Sequence, residues 1–578
     1  MRGADYIAEF LEQKGIEHVF LLTGGAATFM IDAVARRPAL RYVCVQHEQA
    51  ASMAADAVWR VNGRLGATMA TSGPGATNLI TGIACSYFDS IPSMHFTGQV
   101  NKNETSAYLG ARPRQVGFQE TMIVEMTRPI TKYAVQVLRA EDLPAELEKA
   151  YNIAISGRMG PVLIDVPMDV QQAEVGPIKL SETTIVDTEN GNVIGHAAAT
   201  LKDLLQQASR PLVYLGAGIG LAGAEASNAV EAWLQRTQLP FVSSWNASTY
   251  FNHDVPNYCG TVGVYGGNGA HTLVSQCDVM IVLGSRLDNR QRTGNPSSFA
   301  PQAKVHVFDI DAEELAKFKK DGYGTTAVDF RLMPKILEGF GNYRPSDSWS
   351  AWAAAMREKY LGKNHSSFAE KHGTLSPYDV IRKINTFIAE DAIVVNDTGA
   401  ALCWFYQVFH RKRQTVFTAG GMSPMGYSLP AAIGAKLAAP DKQVICFAGD
   451  GGLQLNIQEL QTLVHLKLAV TIVVLNNNGY GIIKQFQDTN MHGRYEASGT
   501  EHGYSAPDFG KIAAAYGIPY CRVEKVEDIS AACFRNDGAM IVDVILDPNT
   551  QVEPKLGNGR TFADSIEVPL RVKVAATG

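Results

Sequence analysis

Gly449-Asp450-Gly451-Gly452 follows directly on the apolar run 444–448, and a second run, 471–475, ends in Asn476-Asn477-Asn478-Gly479-Tyr480. Both runs read as buried parallel strands. The carboxylate and the amides then stand at the mouth of a sheet, where open α/β sheets bind ligands. Asp450 offers a carboxylate oxygen and Asn477 an amide oxygen. Mg²⁺ favours such hard donors, taking one or two protein groups and completing its shell with phosphate and water oxygens. Glycines beside the acid let a diphosphate approach the backbone. Either turn alone is an ordinary strand cap, but the pair, 27 residues apart on consecutive strands, points to a metal–diphosphate site. A third Gly-rich turn, Gly216-Ala217-Gly218-Ile219-Gly220 after the run 211–215, could host a nucleotide or simply cap a strand.

Parallel strands must hold these turns in place. Short apolar runs at 19–22, 42–45, 66–70, 93–97 and 162–166 alternate with amphipathic stretches, the pattern of α/β layering. A polar, Pro-containing segment at 171–195 reads as a linker. A second α/β block has strands at 211–215, 279–283 and 305–310. Another polar stretch, 342–376, precedes a third block with strands at 392–396, 444–448 and 471–476. The reading is α/β throughout: three doubly wound parallel-sheet domains at 1–172, 190–342 and 375–550, and a C-terminal tail at 551–578. That agrees with 578 residues at roughly 150 per domain.

Composition narrows the class. Charged residues make up 19 % and hydrophobic residues 46 %, with 53 glycines, so the chain is rich in interior and tight turns, not disordered or collagen-like. A net charge of −6 leaves no electrostatic footprint for nucleic acid. Eight scattered cysteines without a C-x-x-C pair read as thiols in a reducing compartment. No run approaches the roughly 18 apolar residues of a membrane span, and the N-terminus resembles neither a signal nor a transit peptide. A cytoplasmic location is expected.

The spacing from Gly449-Asp450-Gly451 to Asn477 resembles the diphosphate motif of thiamine diphosphate enzymes. Further motifs extend the resemblance: His47-Glu48-Gln49-Ala50-Ala51, Thr71-Ser72-Gly73-Pro74-Gly75, Asp89-Ser90-Ile91-Pro92, Phe118-Gln119-Glu120, Gly284-Ser285-Arg286-Leu287-Asp288-Asn289-Arg290, Asp309-Ile310-Asp311 and Gly420-Gly421-Met422-Ser423-Pro424-Met425. In this order, over about residues 20 to 495, they are similar to the acetolactate synthase (acetohydroxyacid synthase) large-subunit branch.

The resemblance implies roles. The first domain would bind the cofactor's pyrimidine and the third its diphosphate, with a nucleotide-binding-like domain between them. Glu48 would be the acid facing the pyrimidine ring. Met425 would hold the cofactor bent, and Ser423, standing where the family has Gly, would present its carbonyl provided φ stays negative. Gly449, Gly451, Gly452 and Tyr480 would line the diphosphate, and Asp450, Asn477 and the Gly479 carbonyl would hold Mg²⁺. Gly25, Phe118 and Gln119 would shape the pocket of the donor, pyruvate. Arg158, Arg286 and Asp309 match positions that contact FAD, which has no net redox role in this branch, and Gly216, Gly218 and Arg290 join them as cofactor-binding candidates. Glu48 and the metal residues would come from different subunits. A homodimer or homotetramer follows, with a regulatory subunit compatible but not indicated.

Departures cluster at the acceptor. Met168 replaces the Lys of a Pro-Lys-Asp tripeptide and Phe486 the Trp of Gln-Trp-Gln, while Arg290, linked to carboxylate recognition, is retained. The second carbonyl substrate is therefore either a 2-oxo acid or a ketone or ketosugar, as in yersiniose-type synthesis. The alternatives are a flavin-dependent pyruvate oxidase-like enzyme and an inactive binding or assembly homologue.

Overall fold

The computed structural model describes residues 1–111, 113–177, 191–293, 296–362, 368–556 and 561–562. Eighteen strands form three six-stranded sheets. The first holds β1 (His18–Leu21), β2 (Arg41–Cys44), β3 (Gly66–Ala70), β4 (Ser93–Gln99), β5 (Tyr133–Gln136) and β6 (Val162–Pro167), in the order β2-β1-β3-β4-β6-β5. The second holds β7 (Pro211–Leu215), β8 (Phe241–Ser243), β9 (Tyr258–Thr261), β10 (Val279–Leu283), β11 (Lys304–Asp309) and β12 (Gly324–Ala327), in the order β9-β8-β7-β10-β11-β12. The third holds β13 (Ile393–Asn396), β14 (Thr415–Phe417), β15 (Val444–Gly449), β16 (Val470–Asn476), β17 (Tyr520–Val523) and β18 (Met540–Ile545), in the order β14-β13-β15-β16-β18-β17. Neighbouring strands run parallel in all three. With helices on both faces, the central strands are buried throughout, which is why they read as unbroken apolar runs.

The middle sheet counts 3-2-1-4-5-6 in its own strand numbers, the order of dinucleotide-binding folds. The outer two share the order 2-1-3-4-6-5. They are joined by packing of α1 (Glu48–Asn62) on α2 (Ser428–Ala438). Small residues let these helices approach closely. A Cβ added to Gly434 would stand 2.2 Å from the Ala54 carbonyl oxygen, and one on Gly66 of β3 2.4 Å from that of Ala55.

Two expected separators look different in the structure. Stretch 342–376 holds the helices Asp347–Tyr360 and Phe368–His372. In the first, Trp349, Ala353, Met356 and Tyr360 recur at helical spacing and are buried against the middle domain, so the polar composition reflects only the outer face. At 171–195, the helix Met168–Gln172 ends before Glu174 bridges to Arg2, and the helix Gly191–Gln207 begins the second block. Residues 178–190, and most of the tail 551–578, lie outside the described residues. No described helix is long and apolar enough to cross a membrane.

Candidate active site

Asp450 opens α3 (Asp450–Leu455) at the carboxyl end of β15, beside the switch point between β13 and β15. Its Oδ1 accepts the Gly451 amide at 2.6 Å, and its Oδ2 accepts the Gly479 amide at 3.0 Å from the turn after β16. Burial pushes its carboxyl up to about 6, with the Gly451 and Gly479 amides acting against that rise. A buried carboxylate of this kind is stabilised by a cation. Asn477 is buried, and its Nδ2 has no hydrogen-bond partner among the described residues. Open space faces Gly449, whereas an added Cβ on Gly451 would meet Tyr480 Cε1 at 2.5 Å and Met425 Cε at 3.0 Å. The structure thus gathers Met425, Gly449, Gly451, Gly452, Asp450, Asn477, Gly479 and Tyr480 around one turn pair. Two oxygen donors, an orphaned buried amide and an open glycine edge fit a diphosphate held through Mg²⁺.

Two further residues belong here and were not singled out from the sequence. Tyr504 packs on Tyr480 with ring centroids 4.3 Å apart and planes tilted by 48°, and burial, then the Asp450 charge, push its hydroxyl well above its ordinary value. Asp397, at the end of β13, accepts the amides of Gly426 and Ser428, both at 3.0 Å, and the Ser428 hydroxyl at 2.9 Å. Burial raises its pKa against these bonds. An aspartate ending an apolar strand was the only signal for it.

The expectation for Ser423 is corrected. Its φ is +53°, in the left-handed region, not negative. Its hydroxyl lies 2.5 Å from the Thr398 hydroxyl, a local bond that goes with a conformation costing a non-glycine residue about 1–2 kcal/mol.

In the first domain, Glu48 starts α1 and is 6 % exposed. His47 caps the helix through Nδ1, which accepts the Gln49 amide at 3.1 Å. Asn78 Nδ2 donates to Glu48 Oε2 at 3.0 Å, and Glu48 Oε1 would lie 3.2 Å from a Cβ on Gly75. The turn 71–75 also collects the other first-domain candidates. The amide of Ala26, next to Gly25, donates to Thr71 Oγ1 at 3.2 Å, and a Cβ on Gly73 would lie 3.0 Å from Gln119 Cβ. Phe118, however, is 83 % exposed on the single chain. Among the described residues Glu48 has no hydrogen bond to the third domain. Two residues before it, the Gln46 amide donates to the Glu459 carboxylate of the third domain at 3.0 Å.

A cavity of about 1100 Å³ lies where the three domains meet, above the roughly 300–1000 Å³ range of most ligand pockets. Arg158, Gly218, Arg286, Arg290 and Asp309 line it. Gly216 lies just behind, where a Cβ would meet the Gly284 carbonyl oxygen at 2.0 Å. The cavity therefore opens at the switch point between β7 and β10, the dinucleotide position of this strand order. Arg158 pairs with Asp311 at 2.8 Å and Glu314 at 3.0 Å. Burial raises the Asp309 pKa, opposed by Arg158. Trp245 also stands in the wall, stacked on Tyr406, with its Nε1 buried and without a partner among the described residues. Size, glycine contact and strand order all fit a dinucleotide such as FAD.

The acceptor candidates are spread over three elements. Met168 starts a short helix in the first domain, and Arg290 is exposed on the cavity rim. Phe486 is 45 % exposed on α4 (Gly481–Met491). The segment after β18 adds Lys555. Its neighbour Leu556 donates an amide bond to Val264, whose own amide donates to the Arg290 carbonyl. Burial, then the Arg290 charge, lower the Lys555 pKa, and Asp488 of α4 opposes this.

Three domain families match the chain. The N-terminal TPP binding domain of thiamine pyrophosphate enzymes matches residues 1–126, their central domain 198–327 and their C-terminal TPP binding domain 397–544. The acetolactate synthase isozyme 2 large subunit of Escherichia coli (strain K12) is 32 % identical, covering 98 % of this chain and 100 % of that protein. The acetolactate synthase large subunit of Corynebacterium glutamicum is 33 % identical over 98 % of this chain and 90 % of that one. That of Lactococcus lactis is 31 % identical over 96 % and 94 %.

Proposed function

From its membership of the thiamine diphosphate enzymes of the acetolactate synthase large-subunit family, we propose that this carboligase binds thiamine diphosphate through Mg²⁺, carries FAD, and joins pyruvate to a second carbonyl compound. It is a thiamine diphosphate-dependent enzyme that decarboxylates pyruvate and forms a carbon–carbon bond. The observation that carries the finer reading is the junction of Asp450, Asn477 and Gly479 beside Gly451 and Met425.

When bound, thiamine diphosphate supplies a nucleophilic ring carbon and an electron sink for the departing carbon dioxide. Asp450, Asn477 and the Gly479 carbonyl would hold Mg²⁺ against the diphosphate oxygens. Gly449, Gly451 and Gly452 would leave room for those oxygens. Met425, whose Cε reaches the Gly451 edge, would press against the cofactor. Glu48, buried and steadied by Asn78, would exchange a proton with the pyrimidine ring nitrogen. Gly25, Phe118 and Gln119 would enclose the pyruvate carbon chain and exclude water from it. Phe118 lies open on one chain and belongs to a surface that a second subunit would cover, so a homodimer or higher assembly goes with the reading. A cytoplasmic location goes with this reading.

FAD would lie in the interdomain cavity against Gly218, Arg158, Arg286 and Asp309. For the acceptor, Arg290 and Lys555 favour an anionic 2-oxo acid, while Met168 and Phe486 favour a neutral ketone or ketosugar. Product analysis with labelled pyruvate, alone and with 2-oxobutyrate, acetone or a 4-keto-deoxysugar, tests the proposal. Acetolactate as sole product removes the sugar acceptor. Flavin reduction or oxygen consumption keeping pace with turnover would replace the carboligase by the oxidase.

A further inference from the structure

Asp89 is the residue on which the three domains meet. It ends the helix Ile80–Asp89 of the first domain and is nearly buried. Its Oδ2 accepts the Gly420 amide at 2.9 Å, and its Oδ1 accepts the Gly421 amide at 2.7 Å. Arg60 of α1 donates to Oδ2 at 2.8 Å, and Asn246 of the middle domain reaches it at 3.4 Å. Asn246 also brackets Thr418, donating to its carbonyl at 3.0 Å and accepting its amide at 3.2 Å.

The charges do not balance by pairing alone. Arg60 is shared between Asp56, at 2.7 Å, and Asp89. One of the two buried negative charges is thus held largely by amide hydrogens of the third-domain loop, a costly arrangement if it served cohesion only. That loop continues through Ser423 to Met425, whose Cε reaches the Gly451 edge of the candidate site, and is held at its far end by Asp397. Two carboxylates from two domains therefore grip four amides, at Gly420, Gly421, Gly426 and Ser428. Between the grips the backbone bends through φ +53° at Ser423 and +86° at Gly426. The back of the loop is also cavity wall. Phe88, Asp89, Arg286, Gly420 and Gly421 all face the interdomain cavity. A Cβ on Gly421 would stand 2.6 Å from Phe88 Cβ, 2.8 Å from Asp89 Oδ1 and 3.0 Å from Arg286 Nη2.

We infer that Asp89 is a positioning residue, setting the loop that presents Met425 to thiamine diphosphate and coupling that loop to the occupant of the interdomain cavity. The inference rests on the carboligase reading above. A ligand that orders the cavity wall then favours the same loop conformation that thiamine diphosphate needs, and by linkage each tightens the other.

The test is calorimetric titration of the cofactor-stripped full chain with thiamine diphosphate at saturating Mg²⁺, with and without FAD. In the wild type FAD is expected to tighten thiamine diphosphate binding about fivefold or more. Asp89→Asn turns an amino group toward one loop amide. It is expected to weaken thiamine diphosphate about tenfold, the effect of one charge-assisted hydrogen bond, and to bring the FAD effect near unity. Turnover in D89N then recovers as thiamine diphosphate is raised, a response that a general loss of stability does not give. Gly421→Ala displaces the loop from Asp89 without touching the charge and is expected to reproduce both effects, which decides the matter if D89N does not fold. Unchanged affinity and unchanged linkage in the folded variants, whatever their thermal midpoint, would overturn the inference. A wild type that binds no thiamine diphosphate would instead sink the carboligase reading, and the first titration reports that separately.

Discussion

Gly479 donates its amide hydrogen to Asp450 Oδ2 at 3.0 Å, bridging the turns at the ends of two adjacent strands. With the bond from Gly451, it fixes the carboxylate beside the open edge at Gly449. Asp450→Asn removes the charge and sets an amide donor against the Gly451 or Gly479 donor. Thiamine diphosphate affinity at fixed Mg²⁺ is expected to fall more than about tenfold. Calorimetric titration with the cofactor checks this; equal affinity in D450N would remove Asp450 from the metal site.

Glu48→Gln keeps the shape and the Asn78 contact but cannot exchange a proton. Turnover is expected to fall about 10²–10⁴-fold, the usual contribution of a positioned acid–base group, with cofactor binding little changed. Steady-state rates beside the same titration separate the two effects. Near-normal turnover would exclude Glu48 as the acid.

His95 sets one component of acid stability. It is fully buried, with its ring nitrogens 2.9 Å from the Thr68 hydroxyl and 2.8 Å from that of Ser93. Burial lowers its pKa to about 3. The unfolded chain takes up this proton near pH 6.5 and the folded chain does not, so stability is lost as pH falls below 6.5. By pH 5.0 the loss amounts to about 2 kcal/mol for this one residue. His95→Gln is expected to lose less stability than the wild type between pH 7.5 and 5.0, by about that amount. Denaturant titrations at the two pH values measure the difference, and parallel pH profiles would count against it.

At the acceptor mouth, Lys555→Met removes the cation beside Arg290. The KM for 2-oxobutyrate is expected to rise about tenfold, while use of 2-butanone changes little. Competition between the two acceptors for labelled pyruvate gives the ratio. A ratio that stays put would leave Arg290 to act without Lys555.

Much of the fold can be read from the sequence because central parallel strands are buried on both faces. The runs 66–70, 211–215 and 279–283 coincide with β3, β7 and β10 to the residue. Edge strands other than β2 escape the same reading. Tyr133–Gln136 is only half-buried along its length, and Gly324–Ala327 mixes small and polar residues, so neither forms an apolar run. For the site, chemistry carried by residue type is visible, as in Asp450 and Asn477. Chemistry carried by conformation is not: nothing in Ser423 announces a positive φ, which depends on a loop held at both ends. Asp397 and Asp89 act through backbone amides far along the chain, contacts that exist only after the domains have docked.

The outer sheets share one wiring diagram, and α1 and α2 each follow the second strand of their own sheet. At the seam between them, a Cβ on Gly434 would meet the backbone of Ala54, its carbonyl oxygen at 2.2 Å, and not its side chain. A smaller residue on α1 therefore makes no room for a larger one on α2, and the spacing of the two cofactor domains rests on a glycine at this one position.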